Sequence, residues 1–397
     1  MSTRGKVWLV VGLALAALAF DAAFAARHGF FDLNVYYGAI NYWINEGGEV
    51  YDFVRRNSTY GFTYPAFGAL TMLPMAFLSW PAAVVIGSLM TILVTVWFMR
   101  ILLDPMIREH GWTPWFVVAI SLCLLAVYEP MRETFLFGQV NMLLVGLVAA
   151  DLLLLVRRGS RWGGIGIGLA TAIKLTPGIF IVYLLITKRV RETIIASVTA
   201  LAATLFAAVV APDASREFWT SALWDTDRVG ALSYISNQSL QGLIARLDPS
   251  NPSKLLWVTS VLVVLLFWGV RGRAAIKHGD EVLGLALTGI VGVLISPVTW
   301  VHHLVWAIPA FVLLVERGGK GRLVFAAVAF IVLSSRVVWL YEEDFGGLSG
   351  FLFSNAYVWI MLALLVVTPG RHEVIDARSR SAPRGSRFRF LWAGTER

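Results

Sequence analysis

Apolar residues arrive in runs of 15 to 25, parted by short polar stretches, from Val7 to Thr368. A helix needs about 20 apolar residues to cross a hydrocarbon layer of roughly 30 Å. Ten runs read as spans: 7–25, 81–103, 115–128, 140–156, 192–211, 254–270, 281–297, 301–315, 322–340 and 354–368. Two others fit poorly, because 64–78 is short and 162–187 is long and interrupted by Lys174 and Pro177. The expected fold class is an all-α polytopic membrane protein of about 10 to 12 transmembrane or re-entrant segments, with residues 1–370 as one domain. The first run is long enough to remain as a span instead of being a cleaved signal peptide. The stretch 371–397, rich in Arg, Ser and Pro, has no apolar periodicity and is expected to be a disordered basic tail attracted to anionic lipid.

Charge orients the spans. Arg and Lys cluster at Arg4/Lys6, Arg157/Arg158/Arg161, Lys188/Arg189/Arg191, Arg271/Arg273/Lys277 and Arg317/Lys320/Arg322, which the positive-inside rule places in the cytoplasm with both termini. Two of these clusters flank 162–187, so a single crossing there would put one of them outside. A broken hairpin turning near Lys174 to Pro177 satisfies both, and irregular backbone at that depth is tolerated only where it is buried in protein or lines a cavity. Parity then makes 64–78 a second element that does not cross; twelve full crossings are the alternative. The outward segments are Arg27 to Thr63, Pro212 to Pro252, Ser296 to His303 and Tyr341 to Phe353, joined by Tyr128 to Asn141 on the ten-span reading. They are longer and chemically richer than the basic loops, and Asn34 to Asn45 alternates aromatic and polar residues as an interfacial helix does. Function is therefore expected on the non-cytoplasmic face.

Composition agrees with this class. Hydrophobic residues make up 58% and charged residues 15% of 397, and mean hydropathy is +0.71, outside the usual range of soluble chains. The net charge of +8 lies in basic loops and marks orientation, with no nucleic-acid partner expected. The single cysteine, Cys123, precludes an intramolecular disulfide or a thiolate metal cluster.

A few polar residues stand where chemistry is expected. Asp32, seven residues after the first run, is either the N-cap of the helix that follows or a general base acting on a sugar hydroxyl. His302 and His303 open a run after a Pro-bounded turn. They are either interfacial anchors beside Trp300 and Trp306, or place one imidazole in a cavity as a second base or a phosphate ligand. Neighbouring helical residues point about 100° apart, so one His alone is expected to face the cavity, and His303 is favoured. No His-x-x-x-His or Cys pair supplies a zinc-binding face. Lys174, alone in an uncharged apolar stretch, is costly unless it meets an anion or water, so it either binds phosphate or supports the active site, or else forms an interhelical ion pair. Gln139, Asn141, Asn237 and Gln238 are carboxamides at span edges, suited to sugar hydroxyls or to joining helices. Glu129, Arg132 and Glu133 read as a local ion-pair network, in which Arg132 alternatively touches a phosphate.

The order of these elements is more specific than any one of them. FFDLNVYY, FTYP, GQVN, AIKLTPG, NQSLQGL and SPVTWVHH, from about Phe31 to Pro309, resemble the polyprenol-phosphate-sugar-dependent GT-C enzymes of glycosyltransferase family 87. The family often has two prolines where this chain has Tyr64, Pro65 and Ala66. The resemblance implies a GT-C fold, an essential Asp at Asp32, and substrate contacts at Tyr64 of FTYP. It implies a polyprenyl-phosphate sugar as donor, with no cofactor and no metal, and a multi-pass place in a bacterial plasma membrane with the active site facing the periplasm. The most similar members add α-1,2-linked mannose to phosphatidylinositol mannosides, which implies polyprenyl-phosphate mannose, a glycolipid acceptor and membrane lipids as partners, and an inverting displacement. The chain agrees in lacking a nucleotide-binding domain or a Gly-rich phosphate loop. Two other readings are an arabinofuranosyltransferase using decaprenyl-phosphate arabinose, and a lipid or solute transporter; against transport stand the absence of an internal repeat and the asymmetry of the loops.

Overall fold

The computed structural model describes residues 1–24, 28–56, 58–225, 230–371 and 373. The tail expected over 371–397 lies outside the described residues except at Arg371 and Glu373. Among the described residues the fold is all-helical, with one isolated β-bridge between Val54 and Gly61. Four helices are long and apolar enough to cross a bilayer: Thr3–Phe24, Trp80–His110, Val190–Val210 and Lys254–Lys277. Two more spans arise if each bent pair counts as one, Pro114–Val127 with Glu129–Phe137 at 78° and Gly347–Ser354 with Ala356–Val367 at 58°. Pro130 in the first turn of Glu129–Phe137 suits a new helix start, since its missing N–H falls among donors that no helix satisfies.

Other expected spans prove short. Glu281–Ile295 covers 15 residues, about 22 Å at 1.5 Å per residue. Twelve of its residues are buried, so protein surrounds it and it need not match the bilayer. The run 301–315 is not one α-helix either. It opens as a 3₁₀ helix, Val301–Ala307, and continues as Ile308–Arg317.

The interrupted run 162–187 folds as a hairpin. Ile165–Ile173 stops at Lys174, whose backbone is extended at φ −148°, and Ile179–Ile186 follows a short turn. Arg191 Nη2 donates to the carbonyls of Gly159 (3.1 Å) and Ser160 (3.0 Å), so both ends of the run lie at one face. Asp151, buried on the preceding helix, accepts from Gly164 N–H (2.8 Å) and Ile167 N–H (2.9 Å). These are donors that the first turn of a helix leaves free, and a carboxylate there also meets the positive end of the helix dipole. At Gly164 the backbone is left-handed (φ 109°), and a Cβ would lie 2.4 Å from Glu192 O, so glycine alone lets the hairpin meet Val190–Val210.

The run 64–78 forms only the short helix Ala66–Met72 and a 3₁₀ turn, Leu73–Phe77. It starts at the Lys174 turn, where a Cβ on Gly68 would lie 2.7 Å from Ile173 O, and ends at Leu78, whose carbonyl accepts from Tyr37 OH at 2.9 Å. Basic loops gather at one face through the buried pairs Arg189–Glu281 and Arg317–Asp280, the latter at 2.6 Å. At the other face a second apolar cluster, with Tyr36, Ile40, Tyr51, Phe62 and Phe218, joins the Phe31–Asn45 helix to the loop before Ala66 and to the segment after Pro212. The 231–239 stretch packs on the main core instead: Ile235 is buried in it, and Tyr234 stands edge-on to Trp300 and Trp339.

Candidate active site

Asp32 lies in the first turn of Phe31–Asn45, whose N-cap is the left-handed Phe30 with no side-chain cap bond. The carboxylate therefore does not cap its own helix. Its Oδ2 instead accepts from Gln139 Nε2 at 2.5 Å, and Gln139 Oε1 accepts from Tyr64 OH at 3.2 Å. Tyr64 OH is 2.8 Å from Tyr36 OH and accepts from Lys174 Nζ at 3.3 Å. Lys174 Nζ also lies 3.5 Å from Asn141 Oδ1 and 3.1 Å from His303 Nε2. One polar chain thus runs from a carboxylate to a cation through residues from five segments. Asp32, Tyr36, Tyr64, Gln139, Lys174 and His303 share a cavity of ≈ 250 Å³.

The cavity holds one carboxylate and one ammonium on opposite ends of this chain. Burial pushes the Asp32 carboxyl up to about 6, against the Gln139 bond and the charges of Lys174, His28 and Arg55, which favour the anion. A base held there is protonated, and idle, in acid. We predict that transfer rises with pH through about 6 and levels above it, read as the acid limb of a kcat/KM profile. A limb near the ordinary carboxylate range would mean that Asp32 is fully solvated.

Lys174 meets no carboxylate within ion-pair distance among the described residues. Its hydrogen-bond partners are neutral, so its charge remains available to an anion. His303 Nδ1 accepts from Trp300 N–H at 3.1 Å, so a neutral ring carries its proton on Nε2, facing Lys174. Two donors directed at one space make a seat for an anionic oxygen. The 3₁₀ geometry also changes the expected divergence of the two histidines from about 100° to about 120°, with residues three apart eclipsed. His303 and Trp306 accordingly line one small cavity with Lys174. His302 faces elsewhere, against Phe137 at 5.4 Å, and its carbonyl accepts from Thr134 Oγ1 and Asn141 Nδ2. His303→Ala is expected to lower transfer about tenfold or more and His302→Ala less, measured as initial rates in membranes. Equal small losses would reduce the pair to an anchor.

Not every candidate reaches the cavity. Asn237 is spent on the carbonyls of Leu232 (2.9 Å) and Pro297 (3.2 Å) and on Thr299 N–H (2.9 Å). Gln238 donates to the carbonyls of Ile235 (2.7 Å) and Ser354 (2.9 Å). Both tie loops together. Arg132 faces Asp21 at 3.5 Å, while Glu133 pairs with His28 at 2.7 Å and Arg336 at 3.0 Å, so this network reaches other helices and does not close on itself. Conversely, Tyr36, Tyr60, Phe218 and Trp300 line the cavity and were not singled out from the sequence. Tyr36 was within reach, standing one helical turn from Asp32; nothing local marks Phe218. An apolar groove of ≈ 600 Å³ adjoins the site at Gln139, walled by residues such as Leu33, Ile86, Met90, Val94 and Leu144.

Comparison with known proteins adds three likenesses and a family. The polyprenol-phosphate-mannose-dependent alpha-(1-2)-phosphatidylinositol mannoside mannosyltransferase of Mycolicibacterium smegmatis is 30% identical over 352 residues, 81% of this chain and 79% of that one. The protein of the same description from Mycobacterium tuberculosis is 30% identical over 391 residues, 91% and 89% of the two chains. The crystal structure of ArnT from Cupriavidus metallidurans bound to undecaprenyl phosphate is similar at a TM-score of 0.37 and 19% identity, covering 96% of this chain and 79% of that one. The family model described as Glycosyltransferase family 87 matches residues 62–297, the stretch that carries Tyr64, Gln139, Asn141 and Lys174. This membrane protein is a glycosyltransferase and belongs to glycosyltransferase family 87.

Proposed function

We propose that the chain transfers mannose from polyprenyl-phosphate mannose to a phosphatidylinositol mannoside, forming an α-1,2 linkage with inversion at the periplasmic face and without a metal ion. The observation that carries this reading is the placement of Asp32 and Lys174 in one cavity, with Gln139 and Tyr64 between them. The relatives' names supply the sugar and the acceptor. In the step we infer, an acceptor hydroxyl gives its proton to Asp32 as its oxygen bonds to the anomeric carbon. The bond from that carbon to the phosphate oxygen breaks, and the electron pair leaves with the polyprenyl phosphate, next to Lys174 and the Nε2–H of His303. A monophosphate leaving group can be neutralised by these fixed donors. Tyr36, Tyr60 and Trp300 offer flat faces for the sugar rings, and the apolar groove beside Gln139 suits a polyprenyl chain.

The test is transfer by membranes holding the chain, given radiolabelled polyprenyl-phosphate mannose or decaprenyl-phosphate arabinose with a phosphatidylinositol mannoside acceptor and EDTA. Mannose is expected in an α-mannosidase-sensitive product. Transfer of arabinose alone would replace the donor assignment, and rescue of an EDTA-silenced reaction by one divalent ion would overturn the metal-free step.

A further inference from the structure

A polar cluster apart from the Asp32 cavity is left incomplete by the protein. Arg132 is 4% exposed. On one edge of its guanidinium, Nη1 lies 3.5 Å from Asp21 Oδ1 and donates to the Val127 carbonyl at 3.2 Å. On the other edge Nε and Nη2 are buried with no hydrogen-bond partner, and Asp21 Oδ1 also lacks one. Buried groups left so are expensive, so a missing partner is implied. The Nε and Nη2 edge is the fork that fits two oxygens of a phosphate. Arg132 and Asp21 both line a cavity of ≈ 590 Å³, and Ile92, Leu122, Leu125, Met131 and Leu136 make its wall mostly apolar. Ile92 is itself exposed, so the wall reaches the surface that faces lipid. Asp21 sits in the last turn of Thr3–Phe24, and Arg132 stands just past the bend at Tyr128, which puts the pair at the loop-bearing end of both helices.

We infer that this cavity binds a zwitterionic phosphodiester lipid of the phosphatidylethanolamine kind, with its phosphate on the free fork of Arg132, its ammonium on Asp21 and its chains along the apolar wall. Charge favours a zwitterion over an anion. Arg132 and Asp21 already balance, and the adjacent Glu133 and Glu129 share the one guanidinium of Arg336, so the cluster carries no positive charge to spare. An added monoanion would leave the cluster negative, whereas an ethanolamine phosphodiester supplies an acceptor to Arg132 and a donor to Asp21 and adds no charge. The site is separate from the Asp32 cavity, with which it shares no lining residue. It nevertheless touches the start of the catalytic helix: Gly29 and Phe30, just before Phe31–Asn45, line it, and Phe30 N–H donates to Leu136 O at 3.0 Å. A bound headgroup braces that turn.

The experiment is native mass spectrometry of the full chain, delipidated in mild detergent and titrated with phosphatidylethanolamine, phosphatidylglycerol or a phosphatidylinositol mannoside. Phosphatidylethanolamine is expected to bind the wild type about tenfold more tightly than phosphatidylglycerol, and Arg132→Gln to lose about tenfold of that affinity. Asp21→Asn is expected to erase the preference between the two lipids, because the ammonium loses its partner. Arg132→Lys keeps the charge without the fork and is expected to bind weakly; it replaces Arg132→Gln if thermal unfolding shows that variant misfolded. An unchanged lipid preference in Asp21→Asn, unaltered binding in Arg132→Lys, or tighter binding of the mannoside than of phosphatidylethanolamine at an Arg132-dependent site would each overturn the inference.

Discussion

Asp32→Asn is expected to lower sugar transfer by about 10²- to 10⁴-fold, the range that a positioned general base contributes. The substitution is close to isosteric and keeps an oxygen that can accept from Gln139 Nε2, so the first helical turn and its 2.5 Å tie to Gln139 have no steric reason to move. What the carboxamide cannot do is accept the acceptor's proton. Asp32 is the one carboxylate among the described residues that line the cavity, so no neighbour takes over. Initial rates at equal membrane content, with insertion checked by protease protection, measure the effect. More than about a tenth of wild-type activity would leave Asp32 a role in holding Gln139 and none in proton transfer.

Lys174→Met has the second largest expected effect, about 10²- to 10³-fold in kcat, comparable to removing a charge-stabilising donor aimed at a leaving oxygen. The methionine keeps most of the side-chain volume and removes the ammonium that faces Tyr64, Asn141 and His303. Because the deleted interaction strengthens as charge develops on the leaving phosphate, the loss belongs in kcat more than in KM. Lys174→Arg keeps the charge but not the compact point donor, and partial recovery there would separate charge from packing. A variant that loses only donor affinity, with kcat intact, would make Lys174 a binding residue and nothing more.

The sequence made much of this arrangement readable, and for physical reasons. Apolar run length reported the four long helices but overstated the other spans, and two basic clusters around one run pointed to the hairpin whose turn carries Lys174. The candidates that gathered in one polar chain, Asp32, Tyr64, Gln139, Asn141, Lys174 and His303, sit where an apolar setting makes an idle polar group costly. Asn237 and Gln238 stand in equally apolar company, yet they bond to the carbonyls of Pro297 and Ser354, which local pattern does not disclose. The same blindness hid the 78° bend after Val127 and the 3₁₀ turn at Val301, both settled by packing against distant segments. Tyr128 OH, at the bend, donates to Leu304 O across 176 positions of the chain.

The Lys174 hairpin also constrains the order in which the protein is made. Its arms, of 9 and 8 residues, are each too short to cross a hydrocarbon layer of roughly 30 Å, so the inserting chain cannot release either to lipid as an independent span. Its ammonium lies 3.1 Å from Nε2 of His303, which stands 129 positions further along the chain. At ribosomal speeds of about 5–20 residues per second the two are separated by roughly 10 s of synthesis. During that interval Lys174 has Tyr64 and Asn141 for company, both already made, and the hairpin lacks the seal of Glu281–Ile295 and Val301–Ala307. Assembly of the cavity is therefore a late event in biogenesis, completed only when the C-terminal third of the chain has been inserted.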